Sequence, residues 1–225
     1  MTDKNLTEIV AIIDRSGSMS SLQTETIGGF NNFVNEQKKG SGKAVLTLVQ
    51  FDNQYQIDYQ GVDVNDVKPL DESTYVPRGM TALLDAVGRT VNAVGDRLAK
   101  TEEEKRPSQI IFLVITDGQE NASQEFKAEK VKEMVKHQID KYNWSFVYLG
   151  GGDIESQREQ GQSIGIGAGN VYNFTADSRA VDAVYENVSK GVSRRRDVLF
   201  AAGAPAAAAA SLLDDDEVKD LITSK

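Results

Sequence analysis

Leu6-Thr7-Glu8-Ile9-Val10-Ala11-Ile12-Ile13-Asp14-Arg15-Ser16-Gly17-Ser18 is the stretch that decides the fold. Its first eight residues are rich in β-branched side chains and end in an unbroken apolar run, as expected of a strand covered on both faces. Such a strand belongs inside a parallel sheet flanked by helices. The apolar run stops at Asp14, and a short polar segment follows in which Gly17 lets the backbone bend sharply.

A second run of the same kind lies far along the chain. Ile110-Ile111-Phe112-Leu113-Val114-Ile115-Thr116 reads as the other central strand and ends in Asp117-Gly118. Between and around these strands the periodicity changes to that of helices. Residues 26–38 carry Ile27, Phe30, Phe33 and Val34 on one stripe, and residues 81–99 carry Leu84, Val87, Val91, Val94 and Leu98. Further helices are predicted over 126–142, 156–163 and 179–192. Strands are predicted over 44–51, 55–62, 144–149 and 171–174. The short link at Asp52-Asn53 makes 44–51 and 55–62 a hairpin, because a parallel crossover needs a longer connection. The pattern predicts an α/β protein with a three-layer, doubly wound, Rossmann-like sheet. That sheet has about six mostly parallel strands and one antiparallel edge strand. Residues 1–200 form this domain. Residues 201–225, alanine-rich and then acidic, are expected to be a flexible tail.

The chain has 225 residues, enough for one sizeable α/β domain. It has no cysteine, so neither disulfides nor thiolate chemistry enter, and no basic-then-apolar leader is visible at its start. A reducing, cytoplasmic location is the expectation. No apolar stretch is long enough to span a bilayer, so no membrane role is expected. The net charge of −9 argues against nucleic acid as a partner. The basic run Arg194-Arg195-Arg196 reads as a solvated helix end.

Ligands of doubly wound sheets sit beyond the carboxyl ends of the strands. Asp14, Ser16 and Ser18 follow one central strand, and Asp117 follows the other. Thr81, in Gly79-Met80-Thr81-Ala82-Leu83, stands at a helix start between them. A lone carboxylate after a buried strand is costly without a cation or donors. Two carboxylates and three hydroxyls are hard oxygen donors, suited to Mg²⁺, Mn²⁺ or Ca²⁺ and not to zinc. With His137 the sole histidine and no cysteine, a transition-metal site of the usual kind has no ligands.

Asp14-x-Ser16-x-Ser18, a separate Thr81 and a later Asp117 in Thr-Asp-Gly resemble the metal-ion-dependent adhesion site of the von Willebrand factor A family. The flanking segments 79–85 and 111–121 resemble bacterial and phage intracellular members. The resemblance covers residues 6–192 in element order. It implies direct hydroxyl ligation by Ser16 and Ser18, and action of Asp14 and Asp117 partly through metal-bound water. It also implies a Thr81 that enters or leaves the coordination sphere with conformation. One position is then left for an Asp or Glu carboxylate from a protein partner. The implied function is a metal-dependent protein-binding module, not an enzyme. Arg15 fills a variable position and could help hold the partner's acid.

Other features have plainer readings. Glu120 and Asn121 either support the metal loops or cap the next helix. Asp85 is expected to face outward, and Asp52 to be a turn residue. Gly150-Gly151-Gly152-Asp153 lacks the lysine of a phosphate loop, and Gly165 to Gly169 reads as a pliable loop. His137 is expected to be solvated and Trp144 to pack in the core. A metal-assisted phosphohydrolase with Asp14 as nucleophile is the alternative function, but no lysine or arginine accompanies Thr116-Asp117-Gly118 to hold a phosphate. The acidic Asp214-Asp215-Asp216-Glu217 could occupy the metal of its own or a neighbouring domain, giving self-association through the tail.

Overall fold

The structure, a computed structural model, describes residues 2–174, 178–203 and 211–213. Two strands hold its centre. β1 (Asp3–Asp14) and β4 (Pro107–Thr116) run parallel and adjacent, with Ile9 opposite Ile111 and Ile13 opposite Ile115. β2 (Lys43–Phe51) lies parallel on the other side of β1, and β3 (Tyr55–Asp63) closes that edge antiparallel. β5 (Ser145–Gly151) and β6 (Val171–Phe174) extend the sheet beyond β4 in parallel. The order β3-β2-β1-β4-β5-β6 is the expected mixed sheet with one antiparallel edge.

The unbroken apolar runs follow from burial on both faces. Ile9, Ala11 and Ile13 of β1, with Ile111, Leu113 and Ile115 of β4, face one core, which α1 (Gln23–Lys39) and α5 (Ser178–Ala202) cover. Val10, Ile12, Ile110, Phe112 and Val114 face the opposite core beneath α2 (Leu83–Lys100) and α3 (Ala128–Tyr142). Trp144 lies in that second core, stacked on Phe112 at 5.4 Å between ring centres. α4 (Ile154–Ser163) is capped by Asp153, whose carboxylate accepts from the Ser156 N–H.

α5 extends ten residues past the expected end at 192. The triple arginine hides the amphipathic stripe there, and the stripe resumes at buried Leu199. Arg194 is exposed as expected, but Arg195 and Arg196 are buried and are not a solvated helix end. Arg196 Nη1 donates to the Gln37 carbonyl at 2.5 Å, and Nη2 donates to the Ser41 and Gly42 carbonyls at 3.2 and 3.3 Å. It thereby satisfies carbonyls at and beyond the C-terminus of α1, which have no partner within the helix. Arg195 donates to Ser145 Oγ at 2.7 Å. Beyond α5, Ser211 to Leu213 is described, and Leu212 and Leu213 are buried in the core that α1 and α5 cover. The rest of the expected tail, 204–210 and 214–225 with its acidic cluster, lies outside the described residues.

α1 and α5 approach closely at Gly29, where a Cβ would stand 2.3 Å from Cδ2 of buried Tyr185. A Cβ at neighbouring Gly28 would meet nothing within 4 Å. Gly29→Ala should therefore cost about 1–3 kcal/mol in urea unfolding through overpacking. Gly28→Ala should stabilise by up to about 1 kcal/mol through helix propensity. Equal effects would contradict this packing.

Candidate metal centre

The winding direction of the sheet reverses between β1 and β4, and the crevice of a doubly wound fold opens there. The register delivers Asp14 and Thr116 side by side at its floor. Thr116 Oγ1 donates to Asp14 Oδ2 at 2.5 Å, and the Ser16 N–H donates to Asp14 Oδ1 at 2.6 Å. Across the crevice, Ser18 Oγ donates to Asp117 Oδ1 at 2.6 Å, and the Ser16 and Ser18 hydroxyls lie 3.1 Å apart. Thr81 completes the group. A Cβ placed on Gly118 would lie 2.6 Å from Thr81 Oγ1, 3.3 Å from Asp14 Oδ2 and 3.4 Å from Ser18 Oγ. Oxygens from three separate segments thus converge beside Gly118, and a larger residue there would crowd them. All five residues singled out from sequence come together. Asp14, Ser16 and Thr81 are buried, Asp117 is half-buried and Ser18 is exposed, so the cup opens on the Ser18 side.

Backbone hydrogen bonds knit the three loops. The Gly17 N–H donates to the Gly79 carbonyl at 3.1 Å, and the Arg78 N–H to the Arg15 carbonyl at 2.7 Å. The Asn121 N–H donates to the Thr81 carbonyl at 3.0 Å, while Asn121 Oδ1 accepts from the Thr81 N–H at 2.9 Å. Glu120 Oε2 accepts from the Leu84 N–H at 2.9 Å, so the third loop caps the helix that precedes it, α2. α2 itself starts two residues after Thr81, which leaves that threonine on the loop.

Several contributors have no signal in the sequence. Asp85 does not face outward. It is buried and accepts from the N–H groups of Gln124, Glu125 and Phe126 at 2.9–3.0 Å. Asp52 is more than a turn residue. It is 1% exposed, and its Oδ2 accepts from Arg15 Nε at 3.2 Å and Arg78 Nε at 2.9 Å. Arg15 is therefore buried and engaged, which corrects the expectation that it could reach a partner. Tyr75 donates its hydroxyl to the Asp14 carbonyl at 2.6 Å. From α4, Gln160 Nε2 donates to the Gly118 carbonyl at 2.9 Å, and its Oε1 accepts from the Glu120 N–H at 2.9 Å. Each of these contacts spans distant segments, so local spacing could not reveal it.

Burial pushes the Asp14 carboxyl up to about 6, against the hydrogen bonds from Thr116 and Ser16, and the nearby Asp117 charge adds to the rise. Burial also raises Asp117, opposed by the Ser18 hydroxyl. Two adjacent carboxylates that resist ionisation, with hydroxyls around them, form a site whose charge no Lys or Arg among the described residues compensates by a direct contact. Among the described residues, no three His, Cys, Asp or Glu side chains gather as a metal-binding group. The donor set is instead hydroxyl-rich and all oxygen, and it fits a hard divalent cation.

No family model matches the chain, and no curated protein matches its sequence. Solved structures do resemble it. Proximal thread matrix protein 1 from the mussel byssus, in a form described as having a zinc-occupied MIDAS motif, is 18% identical with a TM-score of 0.56 over 85% of this chain and 47% of its own. A von Willebrand factor type A protein from Catenulispora acidiphila is 13% identical, with a TM-score of 0.50 over 86% and 42%. The pilus adhesin SpaC from Lactobacillus rhamnosus GG is 14% identical, with a TM-score of 0.61 over 83% and 30%. The chain spans less than half the length of each of these proteins. At such identities the likeness establishes the fold, which is that of the von Willebrand type A domain.

The raised Asp14 makes a pH prediction for protein held in chelator. The unfolded chain ionises Asp14 near its ordinary value of 3.8, whereas the fold holds the proton to about 6. Across that window the native state binds more protons, so this group's contribution falls as pH rises. Asp14→Asn, which carries no charge, should match the parent near pH 3.5 and exceed it above pH 6 by at most about 3 kcal/mol. Urea unfolding across pH checks this, and a pH-independent difference would contradict it.

Proposed function

We propose that this chain is a divalent-metal-dependent protein-binding module. Asp14, Ser16, Ser18, Thr81 and Asp117 would hold one Mg²⁺, with Mn²⁺ or Ca²⁺ as substitutes. When bound, the metal supplies a positive, oxygen-seeking centre that takes an Asp or Glu carboxylate from a protein partner. The observation that carries this reading is the convergence of Thr81, Asp14 and Ser18 oxygens on Gly118. The protein's own residues do the rest. Thr116 and the Ser16 amide orient Asp14, Ser18 orients Asp117, and the loop-to-loop hydrogen bonds fix Thr81.

A binding role is favoured over phosphohydrolysis by the charges around the crevice. A phosphate would need cations beside Asp14, and among the described residues no Lys or Arg donates to Asp14 or Asp117. Arg15 and Arg78 donate to Asp52 instead. The mussel protein described with a metal at this motif lends support at the level of the fold. Among the described residues, no helix is long and apolar enough to cross a membrane. A cysteine-free chain suits a reducing compartment, which favours a cytoplasmic setting.

Adding Mg²⁺ to chelator-treated protein at about a hundred times its dissociation constant should stabilise the fold by about 2.7 kcal/mol. That corresponds to a rise in Tm of roughly 5–10 °C for a domain of this size. Asp14→Ala and Ser18→Ala should abolish or sharply reduce the response. Proteins retained by the immobilised chain in Mg²⁺ should elute with chelator. An unchanged Tm, with Asp14→Ala responding like the parent, would contradict the proposal.

A further inference from the structure

We infer that Arg78 forms an anion subsite beside the metal, and that the partner offers two acids, one to the metal and a second to Arg78. This rests on the binding function proposed above. Arg15 and Arg78 share a single carboxylate, that of Asp52. Two guanidiniums on one buried acid leave one positive charge that Asp52 itself does not balance. Arg15 cannot present it, because its side chain is 6% exposed and its Nη1 donates to Gln56 Oε1 at 2.7 Å. Arg78 can, since its side chain is 52% exposed.

Arg78 is also held in place. Its Nε donates to Asp52 Oδ2 at 2.9 Å and its Nη2 to Gln54 Oε1 at 3.0 Å. No protein acceptor takes its Nη1 among the described residues. A guanidinium fixed on one edge loses little further freedom when a carboxylate arrives. It lines a cleft of about 590 Å³, whose wall also includes Lys68 and half-exposed Val76. The cleft also holds two carboxylates, both bonded by neutral donors. Asp58 accepts from the amides of Gln50 and Gln56, and Asp71 accepts from Ser73 and Thr74.

The position relative to the metal residues follows from the sheet. The Arg78 N–H bonds the carbonyl of Arg15, the residue between Asp14 and Ser16. Asp52, which anchors the guanidinium, follows Phe51, the residue paired with Asp14 across β1 and β2. The two subsites therefore lie on neighbouring loops at the same end of the sheet. In an extended peptide, side chains two residues apart share a face and stand about 7 Å from each other. The partner segment thus carries two acids on one face, and positions i and i+2 are the closest such pair in an extended chain.

The test uses the full chain in Mg²⁺ and NMR titration with two synthetic peptides. One is acetyl-Gly-Asp-Gly-Asp-Gly-amide, and the other replaces its second Asp by Asn. The diacidic peptide should bind about tenfold more tightly, the gain expected of one charge-assisted hydrogen-bonded pair. Arg78→Met should bring the ratio close to one. Arg78→Lys, which keeps a charge near Asp52 but loses the fork, should give an intermediate ratio. Equal affinities in the parent, or a preference that survives Arg78→Met, would overturn the subsite and leave the metal reading standing. Failure of both peptides to bind in Mg²⁺ would overturn the metal reading and the subsite with it.

Discussion

A carboxylate buried at the end of a central strand is the constraint on which the rest of the site depends. Asp14 is fully buried, and desolvation opposes its charge. The protein answers with hydrogen bonds from Thr116 and Ser16 and, among the described residues, with no cation. Burial also raises a second carboxylate, Asp117, in the same crevice. This arrangement is unfavourable in isolation, and in the proposed function a divalent ion would supply the missing charge. Sites that work against local stability in this way are common where function requires them.

The cost is carried by the surrounding structure. β1 and β4 contribute alternating side chains to two cores, so the strand ends that bear Asp14 and Thr116 are anchored on both faces. The loops are then fixed by polar contacts between segments: Asp52 with two arginines, Asp85 with three backbone amides, Glu120 with the start of α2, and Gln160 with the third loop. None of these groups is among the oxygens that converge beside Gly118. They set where Thr81 and Asp117 stand relative to Ser16 and Ser18, and small misplacements of such groups weaken metal sites.

What was legible in the sequence follows from this division. The central strands announced themselves because burial on both faces leaves a continuous apolar run, and the hairpin followed from a link too short for a crossover. The five oxygen-bearing residues that the structure brings together could be singled out because four of them follow central strands, and Thr81 because the set resembles a known motif. The supporting contacts were not readable. Asp85 looks like any outward helix residue until the 124–126 amides are seen around it, and Asp52 looks like a turn until Arg15 and Arg78 meet it. Arg195 and Arg196 misled for the same reason. A triple arginine reads as solvent-facing, yet Arg196 is buried against the carbonyls at the end of α1. Pairings between residues over a hundred positions apart leave no periodic trace.

The most direct measurement is anomalous diffraction at the manganese edge from crystals grown with Mn²⁺. A hard-cation site at this crevice gives one strong peak within ligand distance of Ser16 Oγ and Ser18 Oγ and close to Thr81, Asp14 and Asp117. Crystals that show no peak there at saturating Mn²⁺, or only peaks at surface carboxylates, would contradict it.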